Sequence, residues 1–309
     1  YLNGDTNFTL PWANDSINFA VGGEYRKYTG SRESDLLSQS GDLGGAGGAA
    51  PNIFGGYDVY EAVGELLIPI TDQITAEAGL RHSIYNVDDS GSSAYGASTY
   101  KAGLNYKPID DLSIRATYAR AVRAPNIAEL FSPQNTLLTN LSDDPCASVS
   151  DSGVNNGNVP TGALRDVCIA QGAPAGVIGN IPQPAAGQAN FTGGGNLNLD
   201  PEKSDSFTLG LVFQPAAVPN LSVTLDYYNI QIDESINQPT PGDAIAACFD
   251  NLDATSAACQ SIVRSPIDGS LSGDSNVVKG LPLFLSNAGN LATDGVDLVV
   301  AYNRDIGEF

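Results

Sequence analysis

Arg115, Arg120 and Arg123 bring three cations into the first eleven residues of SIRATYARAVRAPNIAELF (113–131). Such a cluster suits phosphate binding, a catalytic site, or one strand of something larger. The charge of the whole chain decides against the first. Lys plus Arg number 14 and Asp plus Glu 35, a net charge of -21. A field of that sign repels phosphate backbones, so no nucleic-acid partner is expected.

The other candidates for chemistry are sparse. His82, the single histidine, shares the apolar parity of Leu80 and Ile84, which suits packing or a lipid boundary. No G-x-S-x-G, H-E-x-x-H or P-loop pattern occurs, so an enzyme is not expected and no catalytic residue is assigned. The Gly-rich run GDLGGAGGAA (41–50) has no strand–helix context and reads as a flexible loop. The acidic pairs Asp88-Asp89 and Asp143-Asp144 offer oxygen ligands to loop-bound Ca²⁺, but lack EF-hand spacing. Solvated acidic loops are the plainer reading, and no other metal or cofactor is expected.

Four cysteines fall as local pairs, Cys146 with Cys168 and Cys248 with Cys259, both in Gly/Pro/Asp-rich stretches. With one histidine and no C-x-x-C, zinc is a poor fit. Two loop disulfides in an oxidising compartment are the better reading than free thiols.

The elements carrying these residues alternate with period two. In QITAEAGLRHSIY (73–85), Ile74, Ala76, Ala78, Leu80 and Ile84 oppose Thr75, Glu77, Gly79, Arg81, Ser83 and Tyr85. KSDSFTLGLVF (203–213) and NLSVTLDYY (220–228) behave likewise. The alternation predicts eight strands, at 16–28, 57–69, 73–86, 98–108, 111–122, 202–214, 220–232 and 293–303. Most run ten to fourteen residues, where a transmembrane β-strand needs about 9 to 11. Their connections interleave tight turns with long loops at 29–56, 87–97, 123–201 and 233–292. That asymmetry is the mark of an outer-membrane barrel with short turns on one side and long extracellular loops on the other. No run of about 18 apolar residues encodes a membrane helix.

Parity then sorts the side chains. Glu61, Glu65, Glu77, Arg81, Arg115 and Asp226 fall on the polar, lumen-facing side, as does Arg123. Arg120 falls outward with Ile114 and Tyr118, placed to snorkel to anionic headgroups. Tyr57, Tyr60, Tyr85, Tyr100, Tyr106 and Tyr118 lie towards strand ends, as an interfacial girdle or plain β-propensity would place them. Asn126 and Glu129 have the spacing of a capping box opening one turn, IAELF, at the root of the largest loop.

RATYARAVRAPNIAELF, NLNLDPEKSDSFTLGLVFQP (196–215) and LSVTLDYYNIQIDESI (221–236) resemble the barrel of TonB-dependent outer-membrane receptors. FAVGGEYRKY (19–28) and TDGVDLVVAY (293–302) fit the same order, and the paired-cysteine loops fit too. The resemblance implies an all-β fold, an antiparallel transmembrane β-barrel present in part, about eight strands of a 22-stranded, plugged barrel. It implies a single partial domain over 1–309, in the outer membrane of a Gram-negative bacterium, against lipid and lipopolysaccharide. The implied function is TonB-dependent uptake of a scarce, bulky nutrient: a siderophore, cobalamin, haem or oligosaccharide. Ligand contacts would come from loops 123–201 and 233–292, and TonB would be engaged through a plug domain that nothing in this chain resembles. The polar side would be a hydrated lumen, a surface against the plug, or both. The sequence lacks Met and a leader-like start, and Phe309 follows a turn-like NRD, so it reads as an internal piece of a receptor. The rival reading is a complete eight-stranded barrel of structural or adhesive role. Closure of that barrel would pair strand 16–28 with strand 293–303.

Overall fold

The computed structural model describes residues 1–41, 48–88, 94–150 and 152–304. Most of the Gly-rich run, Asp89 and Phe309 lie outside them. Nine strands form one antiparallel sheet: β1 (Leu2–Thr9), β2 (Ser16–Arg32), β3 (Ile53–Thr71), β4 (Ile74–Val87), β5 (Ala94–Ile109), β6 (Leu112–Arg123), β9 (Glu202–Phe213), β10 (Leu221–Asn237) and β12 (Ser286–Tyr302). Each is a neighbour of the next in that order. All eight strands expected from alternation are present, and β3, β5 and β12 reach well further towards the long loops. The ninth, β1, escapes a period-two reading because Gly4 and Thr6 dilute the apolar set of Leu2 and Phe8. No helix among the described residues is long and apolar enough to cross a membrane, which leaves crossing by strands open.

β2 pairs with β1 and β3, and β12 pairs with β10. The closure that a complete eight-stranded barrel demands is therefore not made. The architecture is a partial barrel wall with β1 at one edge and β12 at the other.

Opposed residues on antiparallel neighbours share a face, so the registers divide the sheet. One face carries Phe19, Leu66, Leu80, Leu104, Ile114, Leu211, Leu225 and Leu298. Many remain exposed, Leu80 by 59% and Leu298 by 64%, so this face has no protein cover. Tyr60, Tyr100, Tyr106 and Tyr118 belong to it. Tyr57 and Tyr85 do not, against the girdle expectation. The β4–β5 register puts Tyr85 opposite Tyr95 on the polar face, where the rings stack at 4.9 Å, with Tyr57 6.2 Å from Tyr85.

The two longest connections are folded, not structureless. The first holds α2 (Ile127–Phe131), β7 (Asn135–Asn140), α3 (Gly162–Ala170) and β8 (Gln188–Gly193); the second holds α4 (Pro241–Phe249), α5 (Ala257–Gln260) and β11 (Leu281–Pro282). α1 (Leu36–Ser40) lies in the loop after β2. β11, β8 and β7 form a small sheet drawn from both long connections. Val167 and Ala189 from the first pack with Cys248, Ile262, Leu271 and Leu281 from the second in one buried cluster. Cys146–Cys168 and Cys248–Cys259 are disulfide-bonded as their spacing suggested. Arg264 locks the two connections together. Its fully buried guanidinium donates to both Asp144 carboxylate oxygens at 2.6 and 2.7 Å, to Gln171 Oε1 at 2.6 Å and to the Gly269 carbonyl at 3.2 Å. This folded unit is called the cap below.

Candidate functional site: the polar wall and its mouth

The same registers place Glu61, Glu65, Glu77, Arg81, Arg115 and Asp226 together on the face opposite the leucines. Glu65 and Glu77 stand opposite Gly79 and Gly103, and Arg81 opposite Val63 and Thr99. Arg115 and Asp226 both stand opposite Gly210.

They form three ionic groups with Glu65 between them. In the first, Glu61 accepts from Arg26, lies 3.7 Å from Arg81 Nη1, and accepts from Ser83 Oγ at 2.6 Å. Its side chain is only 5% exposed, so these partners offset the loss of water around a carboxylate. In the second, Lys101 Nζ lies 3.0 Å from Glu77. In the third, Arg115 on β6 reaches Asp226 on β10 at 2.8 Å, across the whole width of β9. That span needs Gly210. A Cβ there would lie 2.6 Å from Arg115 Nε, inside contact distance. Glu65 has no ion pair among the described residues. Arg26, Glu61, Glu65, Arg81, Ser83 and Lys101 line an open recess of about 490 Å³.

At the long-loop end the wall meets the cap. Asn126 and Glu129 make the expected capping box: Asn126 Oδ1 accepts the Glu129 N–H at 2.9 Å and Glu129 Oε2 accepts the Asn126 N–H at 2.7 Å. The turn it starts seats Leu130 and Phe131 in an apolar cluster with Val87, Leu199, Ile236 and Tyr57. Gly30 and Gly55 are cross-strand partners, and they let α2 approach the sheet. A Cβ on Gly55 would strike the Phe131 ring, and one on Gly30 would lie 2.9 Å from Ile127. Arg123 ties the junction. It donates to Glu202 at 2.6 and 2.7 Å and to Glu129 at 3.0 and 3.2 Å, while Glu202 accepts the Ile236 N–H at 2.8 Å.

Arg120 stands on the apolar face, where its charge is paired within the sheet. β9 returns beside β6 in a register that sets Asp205 opposite Arg120. The guanidinium donates to Asp205 at 2.9 and 2.5 Å, Tyr118 Oη donates to the same carboxylate at 3.1 Å, and the Tyr100 ring lies 5.5 Å away. His82, also on this face, bonds Ser98 at 2.9 Å through Nδ1.

Chemically the polar face offers three fixed groups of paired charges and one carboxylate, Glu65, outside them. Among the described residues no group of three or more His, Cys, Asp or Glu is placed to hold a metal ion. Asp144 is committed to Arg264, and Asp88 lies 3.5 Å from Lys27. Sequence reasoning missed Arg264, Asp205 and Glu202, whose partners sit 79 to 120 residues away. Gly210 carried a usable signal: a glycine on the polar side of a strand flanked by charged strands.

The family model described as "TonB dependent receptor-like, beta-barrel" matches residues 1–308. No curated protein matches the sequence. Among solved structures, the fold is similar to the ferric enterobactin receptor PfeA of Pseudomonas aeruginosa (TM-score 0.57, 14% identity), covering 96% of this chain and 32% of that one. It is similar to the siderophore receptor PirA of Acinetobacter baumannii (TM-score 0.52, 15% identity), covering 97% and 33%. The FrpB iron transporter of Neisseria meningitidis matches at TM-score 0.50 and 12% identity, covering 98% and 32%. The chain thus spans about a third of the length of these receptors, and at such identities the likeness is one of fold.

Proposed function

The chain belongs to the TonB-dependent receptor β-barrel family, and from that premise we propose that it supplies barrel wall and ligand-capturing loops for TonB-driven uptake of a scarce nutrient. The family comprises transport receptors of the Gram-negative outer membrane, not enzymes. The apolar face would meet lipid and lipopolysaccharide, and the polar face would line the lumen, facing solute and a plug that couples to TonB. Glu61, Glu65, Glu77, Arg81, Arg115 and Asp226 are the proposed lumenal groups, and the cap and mouth the ligand-facing end.

The observation that carries this reading is the division of one nine-stranded sheet into an uncovered apolar face and a face of paired ions. Sixteen or more apolar side chains left bare would be a liability in water, whereas lipid covers them. Ions paired in three groups on the other face suit water-filled passage, since those pairs need not be broken to let solute by. The similarity to siderophore receptors favours an iron chelate among the possible nutrients.

The test is accumulation of iron-55 supplied as ferric enterobactin or a panel of other ferric siderophores, in cells making or lacking the parent receptor, with and without TonB. Receptor-dependent accumulation that vanishes without TonB is expected. Accumulation indifferent to TonB would overturn the reading.

A further inference from the structure

The long-loop end holds a second recess, distinct from the ionic wall. It occupies about 590 Å³ between the ends of β2 and β3, α2, and the β7–β8 ribbon. Ligand pockets for small molecules commonly fall in that size range, roughly 300 to 1,000 Å³. Its lining is mostly carbon, with Ile53, Pro133, Leu137, Phe191 and Leu285 among the residues that surround it. Close backbone approaches shape it. Asn135 donates from its side-chain amide to the Ala49 carbonyl, joining the loop after β2 to β7. A Cβ on Gly194 would lie 2.7 Å from the Pro133 carbonyl oxygen, so the β8 end and the α2 segment meet at van der Waals distance there.

The charges are the informative feature. Although the chain has 35 acidic residues, none of the described residues in this lining is a carboxylate. The one cation among them is Arg32, which stands opposite Ile53 at the end of the β2–β3 pair. Arg32 has no ion pair or hydrogen bond through its side chain among the described residues, whereas Arg26, Arg81, Arg115, Arg120, Arg123 and Arg264 are each paired. The neighbouring acids do not supply one: Glu33 is off the lining, and Asp35 caps α1, accepting the Ser38 N–H at 2.9 Å. An unpaired guanidinium at the edge of an apolar recess is a ready partner for one planar anion.

We infer that this recess is a binding site for a compact, largely apolar ligand carrying a single carboxylate or comparable anionic group, held by Arg32. The inference rests on reading the long-loop end as the ligand-facing side. It concerns this recess and not the transported chelate: here a second or third anionic charge would be desolvated with no further cation among the described lining residues to meet it, and repelled by the net charge of -21.

The test uses the full-length receptor in lipid nanodiscs and three probes: 2-naphthoate, its neutral isostere 2-naphthylmethanol, and naphthalene-2,6-dicarboxylate. Binding is read by ligand-observed NMR titration. The receptor is expected to prefer 2-naphthoate over 2-naphthylmethanol by about tenfold, the size of one charge-assisted hydrogen bond, and to bind the dicarboxylate more weakly than 2-naphthoate. Arg32→Gln is expected to erase the preference while leaving 2-naphthylmethanol binding unchanged. Ala128→Phe, from an exposed lining position on α2, is expected to weaken both ligands tenfold or more. Absence of 2-naphthoate binding, a preference that survives Arg32→Gln, insensitivity to Ala128→Phe, or tighter binding of the dicarboxylate would each overturn the inference. None of these readouts requires TonB or uptake. A receptor that binds as stated but transports nothing with TonB loses the transport reading and keeps the site, and one with TonB-dependent uptake but no naphthoate binding does the reverse.

Discussion

Replacing Arg264 with Met is the sharpest test of how the cap is held. The substitution keeps an unbranched stem of similar reach but removes four donated hydrogen bonds, two of them to Asp144. Both side chains of the pair are 0% exposed, so no water replaces the lost partner. Asp144 would retain one bond to its carboxylate, from the Cys146 N–H at 3.0 Å. Stranding a buried charge in this way costs about 3–5 kcal/mol. Since ~1.4 kcal/mol is a factor of ten, amide protection in the cap should fall by roughly two to nearly four powers of ten. Hydrogen exchange with mass spectrometry reads this on peptides covering 162–170 and 241–249, with strands β3–β5 as the internal reference. The double variant Asp144→Leu, Arg264→Met should recover part of the loss, because the stranded charge is gone and only neutral groups, Gln171, the Gly269 carbonyl and the Cys146 N–H, lose a partner. A single substitution costing under ~1 kcal/mol would refute the reasoning. So would equal loss of protection in the barrel strands, which would mean the cap is not a separate unit.

The remaining predictions concern the wall, the mouth and one helix cap. Gly210→Val should lower thermal stability in detergent by about 1–3 kcal/mol through overpacking, while Asp226→Asn should change it by less than about 1 kcal/mol because the Arg115 pair is half exposed; equal losses would show that charge, not space, is what Gly210 serves. Gly55→Leu should drive Phe131 off the β2–β3 pair and raise exchange at 127–131 without altering the cap disulfides, and unchanged exchange would argue that α2 is held by the capping box alone. The α4 capping box is pH-sensitive. Asp243 is held below the ordinary carboxylate range by the Thr240 hydroxyl and then by the Thr240 N–H, so its contribution is present above the unfolded-state value near ~4 and is lost as pH falls through the lower folded-state value. Exchange at the start of α4, corrected for intrinsic rates, should accelerate only on the acid side; acceleration on raising the pH from neutrality would contradict the assignment.

The sequence by itself determined which residues share a face. Period-two alternation is a local property, so it placed Glu77, Arg81 and Arg115 on one side and Leu80, Ile114 and Leu211 on the other, and the registers agree. It also placed the Asn126–Glu129 box and both disulfides, whose partners are three to 22 residues apart. Where alternation was diluted, as in Leu2–Thr9, the strand went unseen. Only the tertiary structure decided what those faces meet. Arg120 found Asp205 because β9 comes home beside β6 in one register, 85 residues later. Tyr85, already on the polar parity, met Tyr57 and Tyr95 through the registers of β3, β4 and β5. Two connections that read as loops became one cap because Arg264 meets Asp144 across 120 residues and their apolar residues share a core. Local periodicity fixes the direction a side chain points, but which charge or ring stands opposite depends on loop closure and register, and those are set by the whole chain at once.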